Sequence, residues 1–543
     1  MEIHEYFKTA DWLVVFGYLA VCTLVGHFMS GKQSSIRDFF LGGRSLPWPA
    51  VSGSIIATEI SGVTFIGVPG MVYALSGNFT YLQWAIGSIL ARIIVGYFFV
   101  RVYYEREIYS PYDYMGNQLG SPVKRLATFV FAIGSILGQS VRVLVAALAL
   151  RVVTGWEFWQ CILVIGIFAI AWTLMGGMQT VIWTDVMQFA LFVFGGFLAL
   201  VWIVQTLDGG WAEFTRVAGS VPEAAPKSGP DFGKFSILDF STDPSLSFTF
   251  WVALIAVPFL NLSAFGVDQL NAQRMFCCRS ATDARKAILW SSIGQLLTLL
   301  MLMVGAALFV YYQKFPPSEM AASEFAASGD TVFPVWITTT LPAGLSGLII
   351  AGVFAAAISS LDSILAALSQ TTLSLFVNSD EVSEDRHQNI LFYSRLLVVF
   401  WGLALSAFAI ILNDLRGNIN MVSLAFGMVA YTTGPMLGLF VAALLANKRR
   451  ASFVGLAIGF AISFLLVLLI RTDLYTILVK SGAVTAQSFA DSFLFSKLVS
   501  VGEGGVLSSK LNFAWMYPVT ACITLGCGLL MAKKSTAPTP AAG

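Results

Sequence analysis

Apolar runs of roughly 17 to 30 residues recur along this chain to its end, and crossing the hydrocarbon core of a bilayer takes about 20 residues of helix. They fall at 12–29, 48–73, 81–103, 126–152, 158–174, 181–204, 248–270, 287–311, 345–376, 396–412, 422–446, 453–470 and 513–531. That makes about thirteen spans. In hydrocarbon every backbone N–H and C=O needs an internal partner, so the runs must be helices. Composition agrees: 57% of the 543 residues are hydrophobic and 11% are charged, against about 25% charged in a soluble domain. A soluble fold of this size is excluded. The first run follows Glu2, His4 and Glu5 rather than basic residues, and no small-residue cleavage site follows it. It reads as a retained helix, not a signal peptide.

Lys and Arg in the short loops set the orientation. With the N-terminus outside, 18 of the 31 basic residues fall on the cytoplasmic side, from Lys32, Arg37 and Arg44 through Lys448, Arg449 and Arg450 to Lys533 and Lys534. The expectation is a multi-pass protein of the inner (plasma) membrane, N-terminus outside and C-terminus cytoplasmic. A formal net charge of +1, with scattered basic residues, makes no case for a nucleic-acid partner. The six cysteines form no external pairs, which argues against a disulfide framework. The histidines are His4, His27 and His387, at or beyond membrane edges. With no metal triad or nucleophile–base arrangement in view, the chain is not read as an enzyme. The loop 207–247 is polar and rich in Pro and Gly. The stretch 313–344 carries an apolar piece, VFPVWITTTLP, expected at the surface. The tail after Met531 is expected to be disordered.

Buried charge is the informative signal in such a protein. A charge at the bilayer centre costs about 2.5–3.5 kcal/mol on insertion scales, so it tends to mark a site. Glu59, Arg92, Arg142, Asp185 and Asp362 are the candidates. Glu59 lies about 17 Å into the second span, within SIIATEISGVTFIGVPG, a poor regular helix. The seventh span has a similarly weak centre, VPFLNLSAFG, with Pro258, Asn261, Ser263 and Gly266. Two interrupted helices in matching positions point to an inverted-repeat transporter with its site between them. Spans two to six would form one repeat and seven to eleven the other.

Arg142 lies in the fourth span, with Gln139 three residues earlier on the same face. Two readings of it stand open: a guanidinium that grips a solute carboxylate through paired hydrogen bonds, or an internal ion pair with Glu59. Arg92 reads as structural. In the ninth span AAAISSLDS puts Ser359, Ser360, Asp362 and Ser363 within about one turn, and Asp185 sits in VIWTDVMQ of the sixth. Hydroxyls, carbonyls and carboxylates are hard ligands suited to a small hard cation.

Four ordered stretches carry a resemblance: DFFLGGRSLPWPAVSGSIIATEISGVTFIG, TLMGGMQTVIWTDVMQ, GVDQLNAQR and GLIIAGVFAAAISSLDS. With this topology the chain resembles the sodium:solute symporter family, from about Trp12 to Ala446. That family includes bacterial proline, pantothenate, sialic-acid and sugar symporters and animal sodium–glucose cotransporters. The resemblance implies a sodium site of backbone carbonyls at the first helix break and groups on the eighth core helix. Here those positions look like Ala57 and Ile60 with Ala356, Ser359 and Ser360. Some members bind a second sodium through the Asp of the WTD motif and further serines. Asp185, Ser359 and Ser363 match, while Asp362 stands where such members have a serine. The candidate second sodium site is therefore Asp185, Asp362 and Ser363. For the substrate, Ser61 and Thr64 resemble contact positions at the break, and Asn261 matches an asparagine that touches sugar. Ala264 replaces a sugar-stacking tyrosine, Thr64 a sugar-binding glutamine and Glu59 an asparagine, which argues against a typical glucose carrier. Sialic-acid members hold the carboxylate with an arginine on the third core helix, and Arg142 lies about one turn further along.

The expectation is an all-α membrane protein of about thirteen transmembrane helices, with a five-plus-five inverted-repeat (LeuT-like) core and two discontinuous helices. Its parts are an extra N-terminal helix (1–30), a first repeat (48–206), a second (247–446), two C-terminal helices (452–531) and a disordered tail (532–543). Its expected function is sodium-coupled import of a small organic solute, preferably a carboxylate. Glu59, Ser61, Thr64, Gln139, Arg142 and Asn261 are the substrate candidates. Sugar or polyol symport, proton coupling, and a sensor or channel role are the alternatives. Sodium is the coupling ion, no other cofactor is expected, and the partners are the solute, sodium and lipid, with no obligatory protein.

Overall fold

A computed structural model of the chain describes residues 2–29, 42–106, 108, 110–174, 178–376, 384–415, 419–446, 449–482, 499–501 and 507–532. The tail 533–543 and parts of two motifs, residues 38–41 and 175–177, lie outside them, as do the side chains of Ala356 and Ser359. Among the described residues ten helices are long and apolar enough to cross a membrane, two bent pairs bring that to twelve, and Phe158–Thr173 is a shorter apolar helix. These correspond to the thirteen runs read from sequence.

In chain order the principal helices are α1 (Thr9–Met29), α2 (Trp48–Glu59), α3 (Val63–Tyr73), α4 (Thr80–Glu105), α5 (Pro111–Leu119), α6 (Ser121–Thr154), α7 (Phe158–Thr173) and α8 (Met178–Thr206). There follow α9 (Val252–Val267), α10 (Gln269–Phe276), α11 (Ala281–Lys314), α12 (Leu345–Leu373), α13 (Phe392–Leu415), α14 (Met421–Leu444), α15 (Phe453–Ile470) and α16 (Phe513–Leu530). The two bent pairs are α2 with α3, at 54°, and α9 with α10, at 52°. Near-equal bends at the start of each five-span unit are the geometry of a five-plus-five inverted-repeat core. A short antiparallel pair, Val499–Val501 with Leu507–Ser509, is a small departure from all-α.

The repeats interlock through their broken helices. α3 packs on α11 of the other repeat, and α9 packs on α4. Each contact depends on a glycine. A Cβ on Gly87 of α4 would lie 2.8 Å from both Val257 Cβ and Pro258 Cδ, and one on Gly305 of α11 would lie 2.7 Å from the Pro69 carbonyl oxygen. Small residues are what let membrane helices approach this closely.

Two expectations are corrected. The apolar piece of the stretch 313–344 forms a buried helix, Val332–Thr340, with Val335, Trp336 and Ile337 fully enclosed. It packs against α3, α6 and α12 instead of lying at the surface, because burying Trp336 and its neighbours removes more apolar area from water. The second bend falls at Asp268, beyond the Pro258–Gly266 centre. π-Helical turns at Val252–Ala256 and Leu262–Val267 carry the chain past Pro258 without a sharp break.

Accessory elements brace the core. On α1, Asp11 Oδ1 accepts from the N–H groups of Gly344 (2.7 Å) and Gly347 (2.9 Å) and from the Ser346 hydroxyl (2.6 Å). A carboxylate from one helix thus caps the N-terminus of α12, where the first amides lack partners within the helix. At the end of α3, Lys234 from the loop 207–247 donates to the carbonyls of Val72 (2.8 Å), Ala74 (2.8 Å) and Gly77 (3.1 Å). A cation at a helix C-terminus complements the macrodipole.

Candidate functional site

The first break begins where α2 ends. Ile60 leaves the helix at φ −87°, ψ 77°, after its N–H has donated to the Ile56 carbonyl at 2.8 Å. The ladder restarts with Thr64 and Phe65 donating to the Ser61 carbonyl at 2.9 and 3.1 Å. The carbonyls of residues 57–60 therefore fall between two ladders, as the last four of any helix do. The Ser61 hydroxyl accepts from the Val63 N–H (3.3 Å) and starts the new turn. At the second break Asp268 is extended (φ −67°, ψ 129°), and its carboxylate caps α10 by accepting from the Leu270 N–H at 2.8 Å.

Between the breaks lies a cavity of about 240 Å³, lined from α2, α3, α9 and α10 and from α4, α6, α11 and α14. Glu59, Ser61, Thr64, Gln139, Arg142 and Asn261, all named from sequence, line it together. Trp84 and Phe426 meet in its wall with ring centroids 4.7 Å apart.

The ion pair of Glu59 is not with Arg142. The Glu59 carboxylate pairs with Arg92, which is fully buried, and accepts from the Gln295 amide at 3.1 Å. Arg92 also donates to Ser291 (3.0 Å) and Ser88, and lies 4.2 Å from the Phe265 ring centroid. Arg142 is left with a buried Nη1 that has no partner in the protein, and Gln139 with an unpartnered buried Oε1. Asn261 is already engaged, its Oδ1 accepting from Ser88 (3.4 Å) and its Nδ2 donating to the Val257 carbonyl (3.2 Å).

In the set named for sodium, Ala57, Ile60 and Ser360 are all buried, and α12, which carries Ser360, packs against α2. Nearby, a guanidinium stands on the second set. Arg274 of α10, 1% exposed, donates to Asp185 (3.0 Å), Ser363 (3.1 Å), Ser54 (2.9 Å) and the Leu270 carbonyl (2.8 Å). Ser54 in turn donates to Asp185 at 2.5 Å. One side chain thus ties α2, α8, α10 and α12 together. Asp362 is buried beside it. Among the described residues no cluster of three or more His, Cys, Asp and Glu could hold a metal.

Arg274, Asp268 and Asn271 were not singled out from sequence as site residues. All three stand in GVDQLNAQR, and the available signal was their position just past a helix break.

The sequence profile of the sodium:solute symporter family matches residues 39–459. The sodium/sialic acid symporter SiaT of Proteus mirabilis is 29% identical over 504 residues, covering 90% of this chain and 97% of that protein. The sodium-coupled monocarboxylate transporter 2 of Mus musculus is 28% identical over 476 residues, covering 84% of this chain and 72% of that protein. A solved substrate-bound, outward-open state of a sodium-coupled sialic acid symporter superposes with a TM-score of 0.76 at 25% identity, over 97% of this chain and 100% of that one.

Proposed function

The chain belongs to the sodium:solute symporter family, and from that premise we propose that it imports a small organic carboxylate with sodium by alternating access. The observation that carries the carboxylate reading is Arg142. A guanidinium nitrogen buried in the central cavity without a partner stays there at a cost that an anionic ligand offsets. Relatives named for sialic acid and for monocarboxylates support the same class.

Sodium would sit on the carbonyls of Ala57 and Ile60 and on Ala356, Ser359 and Ser360, joining the broken first helix of the core to α12. The Asp185, Asp362 and Ser363 set is read as a cation position filled by the chain's own Arg274, which gives one sodium per cycle. Arg92 holds Glu59 in the cavity wall, while Ser61, Thr64, Gln139 and Asn261 shape the space around the solute. The protein would lie in the plasma membrane with its N-terminus outside, and the two repeats, 48–206 and 247–446, would rock against each other around the site. The extra helix and the C-terminal pair brace them.

The test is the melting point of the purified protein in detergent against carboxylates, amino acids, sugars and polyols, in sodium and in potassium. A ligand that binds the native state raises it. The expected result is a carboxylate shift seen only in sodium, lost in Arg142→Gln and displaced to about tenfold higher sodium in Ser360→Ala. A shift with a neutral sugar that survives Arg142→Gln overturns the carboxylate reading. Shifts that ignore sodium overturn sodium coupling and bring proton coupling through Glu59 forward.

A further inference from the structure

Among the described residues lining the cavity, three buried polar atoms have no partner in the protein: Arg142 Nη1, Gln139 Oε1 and Asn271 Oδ1. Asn271 stands in the first turn of α10 and is 9% exposed. Its Nδ2 donates to the Ala264 carbonyl at 2.8 Å, across the break. That bond fixes the orientation of the amide, so the oxygen is the atom left free. An amide oxygen can only accept a hydrogen bond, and a guanidinium can only donate. The cavity therefore offers one cationic donor and two neutral acceptors.

We infer that the solute is a hydroxylated carboxylate and that Asn271 recognises its hydroxyl; this rests on the carboxylate reading above. A plain alkyl carboxylate satisfies Arg142 and leaves both amide oxygens unpaired once water is expelled. A neutral polyol satisfies the oxygens and leaves the guanidinium unpaired. An ammonium group calls for a carboxylate whose charge is not already matched, and neither carboxylate lining the cavity is one: Glu59 is held by Arg92 and Gln295, and Asp268, whose Oδ1 accepts from the Leu270 N–H, stands in the field of both Arg142 and Arg274. Hydroxyls beside a carboxylate match all three free atoms. A volume of about 240 Å³ suits a small solute, since drug-sized ligands occupy about 300–1,000 Å³.

The experiment is isothermal titration of the full-length protein in sodium with two matched pairs, lactate against propionate and gluconate against hexanoate, and with sorbitol. Leaving a buried acceptor unpaired corresponds to roughly ten- to a hundredfold in affinity. In at least one pair the hydroxylated acid should bind about tenfold more tightly or better. Asn271→Leu should remove that margin and leave the Kd of the deoxy acid within about twofold. Equal or tighter binding of the deoxy acid in both pairs overturns the inference, and so does a margin unchanged in Asn271→Leu. The wild-type comparison decides the matter even where that variant does not fold. If sorbitol binds and none of the four acids does, the carboxylate reading itself has failed; if acids bind regardless of hydroxyls, only this inference has.

Discussion

Glu59 and Arg92 show how a buried charge is tolerated here. Arg92 has no exposed surface, and its guanidinium is matched by one carboxylate, two serine hydroxyls and the face of Phe265. Removing one partner of such a pair leaves an uncompensated charge, which costs about 3–5 kcal/mol when burial is complete. Glu59 is 23% exposed, so Glu59→Gln should cost about 3 kcal/mol, at the low end of that range. Adding Arg92→Met should recover most of the loss, read as melting temperature and monodispersity in detergent. If the double variant is no more stable than the single one, the carboxylate does more than balance Arg92. From sequence the charges at both positions were legible, but the pairing was not. The ion pair weighed for Glu59 was with Arg142, and only the packing of α11 against both α2 and α4 brings Arg92 to it.

At the scale of elements, stability comes from caps supplied across the chain. Lys234 closes the end of α3 from a distant loop, and its ammonium lies 3.9 Å from the Phe309 ring centroid. Burial holds that ammonium down at about 8, against about 10.4 in an unfolded chain. Between those pH values the unfolded chain binds more protons than the folded one, so this group adds stability as pH rises through the window. The stability of wild type relative to Lys234→Met should therefore move in favour of wild type from pH 8 to 10. A flat difference would mean that the lysine is not enclosed as described. The polar composition of the loop 207–247 announced a loop and nothing more. The contact with α3 spans about 160 residues of sequence, and no local pattern encodes it.

For the whole molecule, the charge carried per cycle follows from which cations the core holds. With Arg274 on Asp185 and Ser363, one sodium would accompany one carboxylate, and net charge movement would be zero. Moving one elementary charge through 100 mV is worth about 2.3 kcal/mol, which is nearly fifty-fold in accumulation. Proteoliposomes given a sodium gradient should accumulate a monocarboxylate to the same level with and without an imposed potential of that size. A rise of about fifty-fold, inside negative, would show that a second sodium is carried and that Arg274 yields its place during the cycle.

The order of apolar runs, their lengths and the two weak centres were enough to determine a helical membrane protein with paired discontinuous helices. Hydrocarbon leaves a continuous apolar run of this length no way but a helix to satisfy its backbone polar groups, so the pattern of runs forces the architecture. The six residues named from the breaks, the buried polar side chains and the family resemblance line one cavity, because helix breaks and buried polar side chains are costly wherever they occur. What only the tertiary structure decided was partnership. It gave Arg92 to Glu59, Arg274 to Asp185 and Ser363, and left Arg142, Gln139 and Asn271 with free atoms in one cavity. Pairing depends on distances of a few ångströms between helices far apart in sequence, and periodicity within a single helix carries no information about them.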